Sequence, residues 1–243
     1  DYRGLLIKGF DSEPVLLNSY NPPYYVDFFE RYGFTKFFDR FAFYYDLSKP
    51  VTKRFEESVA ALKKRYRFTT RNLDLKNLDR ELVGIQKLLV RSWPENWPDM
   101  VPPSLPEIQD EVDKLLPVAD KDLLVVAVDE QGEIIGLAIA LPDYNQVFKR
   151  LNGRLFPLGF IKFLWYRRKI DGGRSLILMV DPAYHKKGVS AAMYLHMFES
   201  ALKKGYRYGE GSTIHEFNTK MVNDAIRAGG VLYKIYRIYK KDL

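Results

Sequence analysis

The chain has 243 residues, 47% of them hydrophobic and 15% aromatic, which is enough to build a sizeable core and too apolar for a disordered chain. Its formal net charge of +7 suits an anionic ligand (a nucleotide cofactor, nucleic acid or a lipid surface) without choosing among them. The absence of cysteine excludes disulfides, thiolate metal sites and a cysteine nucleophile, and the three scattered histidines, His185, His196 and His215, argue against a zinc centre.

No run of residues reaches the length of a membrane span and no signal peptide is visible, so a cytoplasmic protein is expected. The chain begins at Asp1 without an initiator methionine, as a piece of a longer protein would. In chain order, Gly4 to Ile7 is predicted as a strand. Asn21-Pro22-Pro23-Tyr24-Tyr25 opens a helix through Val26, Phe28, Phe29 and Tyr32 that stops at Gly33. Phe34 to Phe38 and Phe41 to Tyr45 read as two further strands, and most of these aromatics are assigned to the core. Pro50 to Arg65 has Phe55, Val59 and Leu62 at helical spacing among charges, an exposed amphipathic connector. Tyr66 to Thr70 is a strand. Leu82, Ile85, Leu88 and Leu89 mark a helix ending near Trp93-Pro94. Trp93 and Trp97 sit at a Pro-rich loop, with packing as their plain role. Ser104 and Glu107 form a capping box for a helix from Leu105 to Leu116. Leu123 to Val128 and Ile134 to Leu141 are partner strands joined by the turn Asp129 to Gly132.

Pro142 to Arg174 is too long for a hairpin loop. Its centre, residues 155–170, is apolar and ends in Arg167-Arg168-Lys169. It suits the lining of an apolar pocket, a peripheral membrane contact, or a packing face against the N-terminal segment or a second copy in a homodimer.

The next stretch carries the most chemistry. Ser175 to Met179 is an apolar strand, and Val180-Asp181-Pro182-Ala183-Tyr184-His185-Lys186-Lys187-Gly188-Val189-Ser190-Ala191-Ala192 leads into a helix. Ala191, Leu195, Phe198 and Leu202 fall on one face of that helix, and Lys203, Lys204 and Gly205 close it. A strand, a tight basic loop and a helix start aim backbone N–H groups and the positive end of the helix dipole at one spot, suited to phosphate or pyrophosphate. An ordinary βα turn with glycine at its bend has the same signature. After a strand from Tyr206 to Ile214, Asn218 opens a helix through Met221, Val222, Ala225 and Ile226 that stops at Gly229-Gly230, before a strand from Val231 to Tyr239. This ending aligns without a gap with Asn21 to Gly33, an internal repeat of one helix–Gly–strand unit.

Val180-x-Pro182 followed by Gly188 resembles the cofactor loop of the GNAT N-acyltransferase superfamily, with His185 where Gln or Arg is usual and Ser190 where Gly or Ala is usual. The resemblance implies an α+β (mixed α/β) fold with a central, mostly antiparallel sheet flanked by helices. It implies acetyl-CoA or a longer acyl-CoA as donor, a small-molecule amine or peptide as acceptor, and no metal. The donor would be held by Met179, Val180, His185, Lys186, Lys187, Gly188, Val189, Ser190, Ala191 and Asn218, with the strand Tyr206 to Ile214 splayed from its neighbour to admit the pantetheine arm. Residues 66–243 then make a complete GNAT-like domain with an insert at 142–174, which the resemblance offers as a pocket for a long acyl chain or an apolar acceptor, and with Trp93 and Trp97 in the segment that helps shape the acceptor site in GNAT proteins. Residues 51–65 are a connector, and residues 1–50 look like the closing half of another GNAT-like unit. The sequence Tyr20 to Tyr25 is similar to bacterial tandem GNAT-like proteins of unassigned activity.

Direct attack of an amine on a thioester needs a base and an acid. Glu210 and Glu216 are the candidates for the base. The acid, in the family usually a tyrosine seven residues after the Asn, is replaced by Ala225, leaving Tyr184, Tyr208, Tyr233 or solvent to substitute; Tyr233 is carried forward as a catalytic candidate with the two glutamates. The alternatives are a GNAT-like binding module without catalysis and a Fem-like transferase that uses aminoacyl-tRNA. No base-reading motif supports a specific nucleic acid partner.

Overall fold

The computed structural model describes residues 4–49, 51–93, 101–154 and 156–242; Trp97 and Leu155 lie outside them. Its elements are β1 (Leu5–Lys8), α1 (Tyr25–Arg31), β2 (Thr35–Asp46), α2 (Lys53–Tyr66), β3 (Phe68–Asn72), α3 (Leu78–Ser92), α4 (Leu105–Leu115), β4 (Leu124–Asp129), β5 (Ile134–Pro142), α5 (Asn145–Leu151), α6 (Gly159–Tyr166), β6 (Gly172–Val180), α7 (Val189–Lys203), β7 (Tyr208–His215), α8 (Thr219–Arg227) and β8 (Val231–Lys240). The strands form one sheet in the order β1-β8-β2-β7-β6-β5-β4-β3. The pairs β1–β8, β8–β2, β2–β7, β3–β4 and β4–β5 are antiparallel, and β6–β7 is parallel. Fold class and sheet character are as the sequence led us to expect. Two compact units interleave along the chain, Asp1–Ser48 with Pro142–Ser175 and Tyr206–Leu243, and Lys49–Leu141 with Leu176–Gly205. These follow different boundaries from 1–50, 51–65 and 66–243.

The unit containing α3 and β3 to β5 has its core where Leu82, Ile85 and Leu88 of α3 meet Val126, Val128, Ile134 and Leu137. Leu124 to Val128 is buried at every residue, which is why β4 reads as an unbroken apolar run rather than an alternation. Helix α7 packs in this unit through Val189, Ala192, Met193, Met197 and Ala201, not through the stripe Ala191, Leu195, Phe198 and Leu202. Gly136 decides this: a Cβ there would lie 2.9 Å from Met193 Cε and 3.1 Å from Val189 Cγ1, so the missing side chain lets that face of α7 close on β5.

In the other unit, the two expected strands Phe34 to Phe38 and Phe41 to Tyr45 are one strand, β2, paired with β8 from Thr35↔Lys240 to Tyr44↔Val231. The repeated strands are therefore neighbours in the sheet. The interruption that made β2 look like two strands is Asp39, which receives the Arg237 guanidinium at 2.8 and 3.1 Å from the opposite position. The first aromatic cluster is not core. Helix α1 buries no residue, and Phe28 and Tyr32 are 58% and 71% exposed. Asn21 does not open α1 either; its side chain holds Leu6 N (2.8 Å) and Leu6 O (3.2 Å) of β1.

Candidate functional site

In the first unit, β7 carries Glu210, 1% exposed, into a cluster of polar side chains. Its Oε1 accepts from Asn18 Nδ2 at 2.5 Å and from the Ser212 hydroxyl, and its Oε2 accepts from the Tyr233 hydroxyl on β8. Arg174 of β6, itself buried, has Nε 3.8 Å from Glu210 Oε1. The same guanidinium donates to Ser212 Oγ (2.9 Å), Leu16 O (2.6 Å) and Ser212 O (3.3 Å). Burial lifts the Glu210 carboxyl above its ordinary range, against the opposing pull of the Ser212 hydrogen bond and the Arg174 charge. Asn18 Oδ1 and the Tyr236 hydroxyl are buried and find no partner among the described residues. The charge of Glu210 helps hold the Tyr236 phenol protonated, after burial itself.

A second buried acid lies in the same unit. Asp143 accepts from the Tyr208 hydroxyl (2.6 Å), Leu16 N (2.8 Å) and Asn145 N (3.2 Å), and the Tyr208 hydroxyl oxygen accepts from Gln146 Nε2 (2.9 Å). Burial raises both Asp143 and the Tyr208 phenol, and the hydrogen bond to Asp143 adds to the rise at Tyr208. The Tyr208 ring covers Gly172, where a Cβ would meet its Cζ at 2.0 Å.

In the second unit, the basic βα turn is rigidly built. Asp181 caps the short turn Pro182–Tyr184 by accepting from Ala183 N (2.9 Å), and its other oxygen pairs with Arg91 Nε (2.7 Å). Arg91 also holds Ile134 O at 2.9 Å. His185 Nε2 turns back to Val180 O (3.1 Å). Lys186 and Gly188 have φ of +63° and +83°. No side chain caps the N-terminus of α7, which leaves first-turn N–H groups for an anion. Lys186 is exposed, and Lys187 Nζ lies 4.7 Å from the Tyr184 ring centroid. Gly188 also has a packing reason: a Cβ would come 2.5 Å from Leu62 Cδ1 of α2. Met179 and Val180 end β6 half-exposed, and the β6–β7 ladder runs only from Gly172↔Tyr208 to Ser175↔Gly211.

Against solved structures, the chain matches a GCN5-related N-acetyltransferase from Sphaerobacter thermophilus with a TM-score of 0.59 over 90% of this chain and 56% of that one, at 14% identity. The chain has the GNAT fold. No protein-family model matches it. Among curated proteins it is 30% identical to the bacterial ceramide synthase of Caulobacter vibrioides and 29% identical to protein YghO of Escherichia coli, over 99% of this chain in each case. It spans 63% and 62% of their lengths, a little under two thirds.

Within this GNAT fold, two of the three residues chosen from sequence as catalytic candidates, Glu210 and Tyr233, are hydrogen-bonded to each other. Glu216 stands elsewhere: its carboxylate takes Lys36 Nζ (2.8 Å) and Asp39 N (2.8 Å). Asn218 caps α8 by accepting from Met221 N (3.1 Å), and Tyr184 reaches Asp129 Oδ2 at 3.4 Å. Ala225 is 1% exposed in a core with Phe43 and Ile214. Val189 is buried, while Ser190 and Ala191 are half-buried in the first turn of α7. Sequence reasoning missed Asn18, Arg174, Ser212 and Asp143. A lone arginine inside the apolar strand before Leu176 was a signal for a buried acidic partner; Asn18 offered none. Among the described residues no group of His, Asp and Glu is placed to hold a metal ion, and no helix is long and apolar enough to cross a membrane.

Proposed function

We propose that this chain transfers an acyl group from an acyl-CoA to the amine of a long-chain amino alcohol. The observation that carries it is the buried Glu210 carboxylate hydrogen-bonded to the half-buried Tyr233 hydroxyl, in a GNAT fold. The acceptor class is suggested by the relative named bacterial ceramide synthase, since a ceramide is an N-acylated long-chain amino alcohol.

The residues of the βα turn fit the anionic end of the donor. The uncapped start of α7 offers backbone N–H groups, the positive φ of Lys186 and Gly188 turns the loop backbone toward them, and Lys186 supplies charge. The apolar end of β6, Leu176 to Val180, stays half-exposed for the thioester arm. The donor, when bound, supplies the acyl group as a thioester. Tyr233 accepts the proton that the attacking amine sheds while passing its own to Glu210, as the C–N bond forms and the C–S bond breaks. The pair then gives the proton to the departing sulfur. A carboxyl lifted by burial is suited to this, because a base is most effective with a pKa near the working pH.

The test is product formation by mass spectrometry from long-chain acyl-CoA and a long-chain amino alcohol. Glu210→Gln should lower kcat by roughly 10²- to 10⁴-fold with little change in KM, and Tyr233→Phe should act in the same direction. The acid limb of the wild-type rate profile should lie above the ordinary carboxylate range. Lys186→Glu with Lys187→Glu should raise the KM for donor and spare kcat. Tight acyl-CoA binding without turnover of any amine would instead favour a GNAT-shaped binding module.

A further inference from the structure

Between residues 145 and 170 the chain carries seven Lys and Arg and no Asp or Glu. Helix α6 lies in this stretch and divides into two faces. Phe163 and Tyr166 turn inward: Phe163 stacks on Tyr144 with ring centroids 5.8 Å apart, and Arg150 covers the Tyr166 ring at 4.8 Å. Phe160, Ile161, Leu164 and Trp165 turn outward and are exposed, and Phe156 and Leu158 extend the apolar surface just before the helix. Phe156 is 80% and Ile161 64% exposed, values far from those of side chains that cover a core.

Cations surround this apolar ridge. Arg167, Arg168 and Lys169 follow directly in a 3-10 turn, all exposed, with Lys162 exposed on the helix itself. Lys169 Nζ rests 3.5 Å from the Trp165 ring centroid. Lys149 is paired with Glu13; the other six cations have no ion-pair partner among the described residues. An apolar helix face beside unpaired Arg and Lys, with a tryptophan at the boundary, is complementary to the headgroup–acyl boundary of an anionic bilayer. A protein partner with an apolar groove would account for the ridge but not for a stretch of seven cations without an acid, only one of which is ion-paired.

We propose that α6 and the Arg167-Arg168-Lys169 turn dock this chain on anionic phospholipid membranes. The proposal does not depend on the acyl-transfer chemistry. It gives the insert a role in bringing the protein to a surface where a water-insoluble acceptor would reside.

The experiment is co-sedimentation of the full chain with vesicles of phosphatidylcholine alone and of phosphatidylcholine mixed with phosphatidylglycerol, at low and high salt. Binding should be confined to the anionic vesicles and weaken with salt. Arg167→Gln, Arg168→Gln and Lys169→Gln together should lower the partition coefficient on the order of a hundredfold, from roughly fivefold per cation removed. Phe160→Ser, Ile161→Ser and Trp165→Ser together should lower it at least about tenfold. Trp165 touches the Lys169 side chain and the Tyr166 ring, no hydrogen bond or ion pair among the described residues holds the other substituted side chains, and the charge variant keeps every core residue, so circular dichroism should match wild type. Equal binding to both kinds of vesicle, no binding to either, or full binding by the apolar variant would overturn the proposal. So would a dimer that the apolar variant dissociates in the absence of any vesicle binding, which would assign the ridge to a second copy of the chain.

Discussion

Arg174→Met is the most informative perturbation of the Glu210 cluster. The substitution keeps a long side chain in the buried site but removes two things. The first is a donor to Leu16 O and Ser212 O, whose loss costs about 1–3 kcal/mol for a buried acceptor left unpaired. The second is the positive charge 3.8 Å from Glu210 Oε1; with the acid still charged, removing one partner of a buried ion pair brings the whole cost to about 3–5 kcal/mol. These losses differ in their response to pH. Arg174 is the charge that pulls the Glu210 carboxyl down against burial, so removing it raises the folded-state value further above the 4.5 of an unperturbed glutamate. The folded protein then holds the Glu210 proton more tightly than the unfolded chain. Below the unfolded value both states are protonated and the charge penalty is absent; it grows as pH rises from there through the raised folded value. Urea denaturation of Arg174→Met should therefore show a deficit of about 3–5 kcal/mol near neutral pH that shrinks toward about 1–3 kcal/mol in acid. Adding Glu210→Gln should recover about 2 kcal/mol at neutral pH and nothing in acid. A deficit that is flat with pH and indifferent to Glu210→Gln would refute the idea that the cluster is an electrostatic unit, leaving Arg174 as a clamp on two carbonyls.

Three further outcomes are expected. Gly188→Ala should cost about 2–3 kcal/mol, about 1–2 for a left-handed φ and about 1 for displacing Leu62; in a Leu62→Ala background only the φ part should remain, which a double-mutant cycle in urea measures. Gly172→Ala should drive the Tyr208 ring off β6 and cost about 1–3 kcal/mol, and because it also breaks the 2.6 Å bond to Asp143, Tyr208→Phe should add little to it. Burial, helped by the Lys63 charge, lowers the His196 pKa. Folding thus favours its neutral form, so stability should fall as pH drops through the ordinary 6.5, and His196→Gln should remove that part of the slope in a pH series of thermal melts.

What the sequence made legible was local. The β4–β5 hairpin, the Ser104 capping box, helix α2 and the turn into α7 each depend on residues close together in the chain, and each appears where its pattern lies. The misreadings came from choices made at a distance. Helix α7 is apolar on almost every side, so periodicity could not rank Leu195 and Phe198 against Met193 and Met197; Gly136, on another strand, ranks them. The gap expected between Phe38 and Phe41 is closed by Asp39, whose partner Arg237 lies at the far end of the sequence. The aromatics of α1 looked like core because their number says nothing of whether a second layer covers them.

The same distinction separates the two candidate sites. The βα turn is contiguous, from Met179 to Ala192, and its anion-ready geometry could be anticipated from strand, loop and helix start. The Glu210 cluster gathers residues 18, 174, 210, 212 and 233 from separate strands and a loop, and sequence supplied Glu210 and Tyr233 only as unconnected candidates. The glycine that drew attention to the turn is also the weakest witness for a ligand, since Leu62 and a positive φ require it whether or not anything binds. A bulky replacement at Gly188 would abolish binding by damaging the packing of α2 on the turn, and would look the same if no donor ever bound there. Lys186 is different: it is exposed, and no ion-pair partner holds it among the described residues. Loss of donor affinity in Lys186→Glu at unchanged stability therefore discriminates a phosphate cradle from an ordinary βα turn, and it is on that residue, rather than on the motif glycine, that the assignment of the donor site depends.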